Sequence, residues 1–75
     1  MMLELDLRGL RCPLPVLRTK KAMKPMLEDS VLLVKTSDPG SVSDFKAYCE
    51  ATGNKLLEDS ESDGVFYFSI QKSGN

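Results

Sequence analysis

Leu3-Glu4-Leu5-Asp6-Leu7-Arg8-Gly9-Leu10-Arg11-Cys12-Pro13-Leu14-Pro15-Val16 passes from one periodicity to another within a few residues. Leu3, Leu5 and Leu7 alternate with Glu4, Asp6 and Arg8, the period-two pattern of a strand with one face on a core. Gly9 interrupts it. Pro13 and Pro15 follow, and proline is tolerated in a first helical turn because the N–H groups there have no intrahelical partner. The pattern predicts a helix from Pro13 to about Met26. Val16, Thr19, Met23, Met26 and Leu27 then cluster on one side, with Arg18, Lys21 and Lys24 on or near the other.

The remaining elements extend this strand–helix start. Val31-Leu32-Leu33-Val34 is a short apolar run with β-branched members, suited to a central strand covered at least partly on both sides. Ser37-Asp38-Pro39-Gly40-Ser41 is turn chemistry leading into a second helix. Ser41 and Asp44 have the spacing of a capping box, and Asp38 ahead of Pro39 is an equally fair start. Val42, Phe45, Cys49 and Thr52 repeat at helical spacing before Gly53 supplies the stop. Two strands follow, about Lys55–Glu61 and Val65–Lys72, joined by the tight-hairpin signal Asp63-Gly64. Phe66, Phe68 and Ile70 point one way from the last strand, and Val65, Tyr67 and Ser69 the other. Ser73-Gly74-Asn75 reads as a frayed tail.

The order is βαβαββ in one domain, residues 1–75. Right-handed crossovers place both helices on one face of a four-stranded sheet, an α/β (α+β) two-layer sandwich. The other face is left largely open to water, with Tyr67 and part of the Val31–Val34 run exposed there, which reads equally as a partner or dimer surface and as shallow packing between neighbouring side chains.

Seventy-five residues suffice for one thin core and leave no room for a deep cleft with a lid. An apolar content of 41% and a charged content of 28% are those of a soluble globular domain. Met1-Met2-Leu3-Glu4-Leu5-Asp6 lacks the basic start and apolar run of a secretory signal, so a cytoplasmic location, with reduced thiols, is expected. The first 26 residues set six cations against Glu4 and Asp6, and the remainder sets nine acids against four lysines. A basic end beside an acidic end favours oriented docking with a protein. A pI near 5.3 speaks against nucleic acid as the main ligand, and no membrane association is expected.

Histidine is absent. That removes the commonest general base and metal ligand at neutral pH, and with it Cys–His pairs and Ser–His–Asp triads. Two isolated cysteines without histidine make no zinc site, so neither metal nor cofactor is expected.

Cys12 stands at, or just before, the cap of the first helix. The first two strands of such a unit are parallel, so this loop shares the carboxyl edge of the sheet with Ser37–Ser41, the edge where open α/β sheets bind ligands. The positive end of the helix dipole there favours a thiolate. Pro13 and Pro15 deplete the N–H donors of the first turn, leaving Leu14 among the first three positions, with Arg11 as a nearby mobile charge. Mild stabilisation of the anion is therefore expected, with Gly9, Pro13 and Pro15 shaping the loop. Cys49 lies on the apolar stripe of the second helix and reads as core.

Asp6-Leu7-Arg8-Gly9-Leu10-Arg11-Cys12-Pro13-Leu14-Pro15-Val16 resembles the signature of the TusA/SirA family around its Cys-Pro-X-Pro motif. The likeness continues through Lys20-Lys21, Ser37-Asp38-Pro39-Gly40, Thr52-Gly53 and Asp63-Gly64, nearly the whole chain. The resemblance implies sheet order 1-2-4-3 with an antiparallel last strand. It also implies a sulfur carrier in which Cys12 accepts a persulfide from a cysteine desulfurase or sulfurtransferase and relays it to an acceptor protein. Transfer RNA thiolation and related sulfur trafficking are the implied settings. Such a chain is sulfurtransferase-like without autonomous turnover. On the residues alone, both exchanging sulfurs are read as anions near neutrality, with no general base required.

Arg11, Arg18, Lys21, Lys24 and Asp38 are candidate docking residues for a partner of a monomer or weak dimer. For the helix cations a solvated face is the competing reading, and for Asp38 a helix cap. The alternative function is a non-catalytic regulatory or protein-binding module using the basic face of the first helix.

Overall fold

The computed structural model describes residues 2–74. It contains β1 (Met2–Leu7), α1 (Leu14–Met23), β2 (Val31–Thr36), α2 (Ser41–Thr52), β3 (Lys55–Ser62) and β4 (Val65–Gln71). The sheet order is β1-β2-β4-β3. β1 runs parallel to β2, placing Leu5 beside Val34 and Leu7 beside Thr36. β4 lies antiparallel on the other side of β2, with Val34 opposite Phe68, and β3 closes the far edge. The expected βαβαββ sandwich and its strand order are both found.

The core explains why the helices share a face. Leu7, Leu32, Val34, Phe68 and Ile70 project from the same side of the sheet and are buried together with Met23 of α1 and Phe45 and Cys49 of α2. The Phe45 and Phe68 rings lie 4.5 Å apart between centroids, tilted by 32°, within the range of favourable aromatic pairs. β2 alternates half-buried and buried residues, so one face is in the core and the other only partly covered.

α1 ends three residues earlier than its periodicity predicts. Pro25 has no N–H to continue the ladder and restricts Lys24 before it, and the last helical contact is Lys24 N–H to the Lys20 carbonyl at 3.1 Å. Leu27 consequently leaves the apolar stripe and is 74% exposed. The Asp63-Gly64 hairpin is a two-residue loop between the paired Ser62 and Val65. Its φ angles, 51° and 80°, are both left-handed, as a turn matching the strand twist requires.

β3 is an edge strand, bulged at Leu57, and its exposed acids Glu58, Asp59 and Glu61 discourage pairing with another chain. The C-terminal segment is tied down at its start, because Ser73 N–H donates to Asn54 Oδ1 at 2.9 Å. Met1 and Asn75, the ends of the terminal stretches considered above, lie outside the described residues.

On the open sheet face, Leu33, Lys35 and Tyr67 border a depression of about 150 Å³ together with Glu4 and Asp6. Arg8 folds back on Asp6 through Nε to Oδ1 at 2.9 Å and Nη2 to Oδ2 at 2.7 Å. These hydrogen bonds hold the Asp6 carboxyl at about 2.

Candidate functional site

The parallel pairing of β1 with β2 ends at Leu7 and Thr36, so the loops that follow leave the sheet side by side. Two polar links join them. Gly9 N–H donates to Ser37 Oγ at 2.8 Å, and Cys12 N–H donates to Asp38 Oδ2 at 2.7 Å. The other oxygen of Asp38 accepts from Gly40 N–H at 3.1 Å, and its carbonyl accepts from Ser41 N–H at 2.9 Å. Asp38 therefore fastens the cysteine loop to the start of α2. Gly9 takes a φ of 88°, a conformation that a side chain would strain.

Pro13 caps α1 with φ −95° and ψ 10°, and the Cys12–Pro13 peptide is cis. Pro15 is fully buried under the helix, while Cys12 is exposed on the rim. Two shallow depressions meet at Cys12. One, of about 360 Å³, lies between Gly9–Cys12 and Ser37–Pro39. The other, of about 410 Å³, runs between α1 and α2 past Val16, Leu17, Ala47 and Tyr48. Lys20 lines this second groove.

The thiol has a partner that its sequence neighbourhood does not reveal. Cys12 Sγ–H donates to Asp44 Oδ2 at 2.8 Å, across 32 residues of sequence. This contact overturns the expected thiolate. The Asp44 hydrogen bond, then desolvation, then the charges of Asp44 and Asp38 all push the Cys12 thiol up. A carboxylate stabilises the protonated form that donates to it and repels the anion, and here that effect outweighs the helix terminus. The amide of Leu14 is not free to serve the sulfur either, since it donates to the Arg11 carbonyl at 2.9 Å.

The capping-box reading of Ser41 and Asp44 fails for the same reason. α2 is capped at Gly40 with no side-chain bond. Ser41 Oγ is buried without a hydrogen-bond partner among the described residues, and Asp44 faces the sulfur instead. A first-turn acid in a second crossover helix was the available signal. Parallel strands bring that turn beside the loop after the first strand.

The candidate docking residues differ in how they sit relative to the two depressions at Cys12. Arg11 lines the first depression with Cys12 and Asp38. Arg18 and Lys21 on α1 and Lys24 at its C-cap are exposed and line neither depression at Cys12. Leu14 and Leu17, 42% and 52% exposed, add apolar surface near the cysteine. Cys49 is 6% exposed within the core, where burial pushes its thiol up.

Removing the Asp38 carboxylate, as in Asp38→Ala, strands two N–H groups and frees the cysteine loop. A stability loss of about 1–2 kcal/mol is expected, together with faster hydrogen exchange at the Cys12 and Gly40 amides. Unchanged protection at both would show that the link carries no restraint.

Comparison with known proteins places this geometry in a family. The family model described as Sulfurtransferase TusA matches residues 3–72. The chain is 53% identical over 70 residues to the sulfur carrier protein TusA of Allochromatium vinosum, covering 93% of this chain and 92% of that protein. It is 51% identical over 67 residues to a putative sulfur carrier protein of Neisseria meningitidis, covering 89% and 90%. Among solved structures, a SirA-like protein of Desulfitobacterium hafniense superposes with a TM-score of 0.83 at 30% identity, covering 96% of this chain and 99% of that one.

Proposed function

The chain belongs to the TusA family, and from that premise we propose that it is a sulfur carrier working between proteins. Cys12 receives one sulfur atom from a cysteine desulfurase or sulfurtransferase, holds it as a persulfide, and yields it to an acceptor in transfer RNA thiolation or related sulfur trafficking. One observation carries this reading. Cys12 is exposed where two depressions meet, while Cys49, the remaining cysteine, is buried with the core.

The exchange needs no cofactor. A donor persulfide anion and the Cys12 thiol become a Cys12 persulfide anion and a donor thiol. The donor's S–S bond breaks, a new one forms to Sγ, and the Cys12 proton ends on the departing sulfur. No net oxidation occurs.

The single domain acts in the cytoplasm, as a monomer or weak dimer without turnover of its own. No helix among the described residues is long and apolar enough to cross a membrane. Gly9, Pro13 and Pro15 set the loop, and Asp38 holds it against α2. Arg11 beside the sulfur, with Arg18, Lys21 and Lys24 along α1 and the apolar Leu14 and Leu17, offers a surface to a partner with acidic and apolar groups.

Incubation with a cysteine desulfurase and free cysteine should add one sulfur atom to the intact mass, removable with dithiothreitol and mapping to Cys12. Modification at Cys49 alone, or none with several donors, would favour the regulatory binding module instead.

A further inference from the structure

We propose that Asp44 sets how weakly Cys12 holds its sulfur: its carboxylate stabilises the empty carrier through the Sγ–H hydrogen bond and repels the loaded one. This rests on the carrier reading above. The two sides of the exchange differ most at one atom. In the empty state Sγ bears a proton and donates it to Asp44 Oδ2 at 2.8 Å. In the loaded state Sγ is bonded to the added sulfur and has no proton, so that hydrogen bond is gone. The negative charge then sits on the terminal sulfur, one bond further out, on a rim that Asp44 and Asp38 both border.

The charged groups facing this atom come from every neighbouring element. α2 supplies Asp44, and the loop before it supplies Asp38. The cysteine's own loop supplies Arg11, and α1 supplies Lys20 along the groove. Each oxygen of Asp38 already accepts a backbone N–H, whereas Asp44 directs its oxygen at the sulfur. Arg11 and Lys20 are exposed, and no ion pair to either carboxylate is formed among the described residues. Asp44 therefore acts on Sγ at contact distance and Asp38 from the backbone N–H of Cys12, while the exposed cations are screened by solvent.

The consequence is a carrier biased toward release. Stabilising the thiol and destabilising the persulfide anion both pull the exchange back toward a free cysteine, which suits a relay and would be a defect in a store. A cationic partner that engages Asp44 would lift the bias while docked.

The test compares the wild type with Asp44→Asn, which keeps the shape and removes the charge. Each is equilibrated with glutathione persulfide and glutathione at one fixed ratio near neutral pH, and loaded and empty masses are measured. The loaded-to-empty ratio should rise by roughly threefold or more in Asp44→Asn, the scale of the difference between a hydrogen bond to a charged acceptor and one to a neutral acceptor. The pH midpoint for iodoacetamide alkylation of Cys12 should fall in parallel. An unchanged or lower ratio in a folded Asp44→Asn, or an unmoved midpoint, overturns the inference while leaving the carrier intact. A wild type that takes up no sulfur overturns both.

Discussion

Cys12→Ser should abolish sulfur uptake and leave the domain folded. A serine hydroxyl forms no persulfide under conditions where a thiol does, so the effect on loading is complete rather than graded. The fold should barely respond. Cys12 is exposed, a hydroxyl can replace the thiol as donor to Asp44, and surface substitutions of this kind shift stability by within about 0.5 kcal/mol. Cys49 cannot take over, being 6% exposed and held as a thiol by burial. Intact mass after exposure to a desulfurase and cysteine is the readout. Cys49→Ala is the matching control and should load like the wild type. Sulfur retained by Cys12→Ser would move the chemistry to another residue.

The largest stability effect is expected at Phe45. Its side chain is fully buried, stacks at 4.5 Å on Phe68 of β4, and anchors α2 to the sheet. Truncation to alanine should cost about 3–5 kcal/mol. That is a large part of the roughly 5–15 kcal/mol available to a native domain. Urea unfolding should therefore show a sharply lowered midpoint, with the slope little changed if unfolding stays two-state. Asp44 is the residue just before Phe45 in α2, so the same variant should loosen its hold on the Cys12 thiol and speed alkylation under native conditions. A loss below about 1 kcal/mol would mean that the core closes around the missing ring.

Much of this molecule is legible from short-range chemistry. The alternation of Leu3, Leu5 and Leu7 marks β1, and Phe66, Phe68 and Ile70 mark the buried face of β4. Asp63-Gly64 announces the turn whose φ angles are both positive. The strand and helix order then leaves few topologies. Pro25 was as local a signal, but the apolar spacing of Met26 and Leu27 reads through it, and the helix stops where the proline removes its N–H. The burial of Cys49 was legible too, because helical period alone puts it beside Phe45.

By itself the sequence determined the elements, their order, and a cysteine at the head of α1, since each depends on residues a few positions apart. Only the tertiary structure decided the charge state of that cysteine. The helix terminus that favours a thiolate belongs to the local chain, whereas Asp38 and Asp44 lie 26 and 32 residues from Cys12 and reach it because β1 and β2 run parallel. Electrostatic energy follows distance through space, and the nearest charge wins. Here it is a carboxylate whose sequence position reads equally well as an ordinary helix cap.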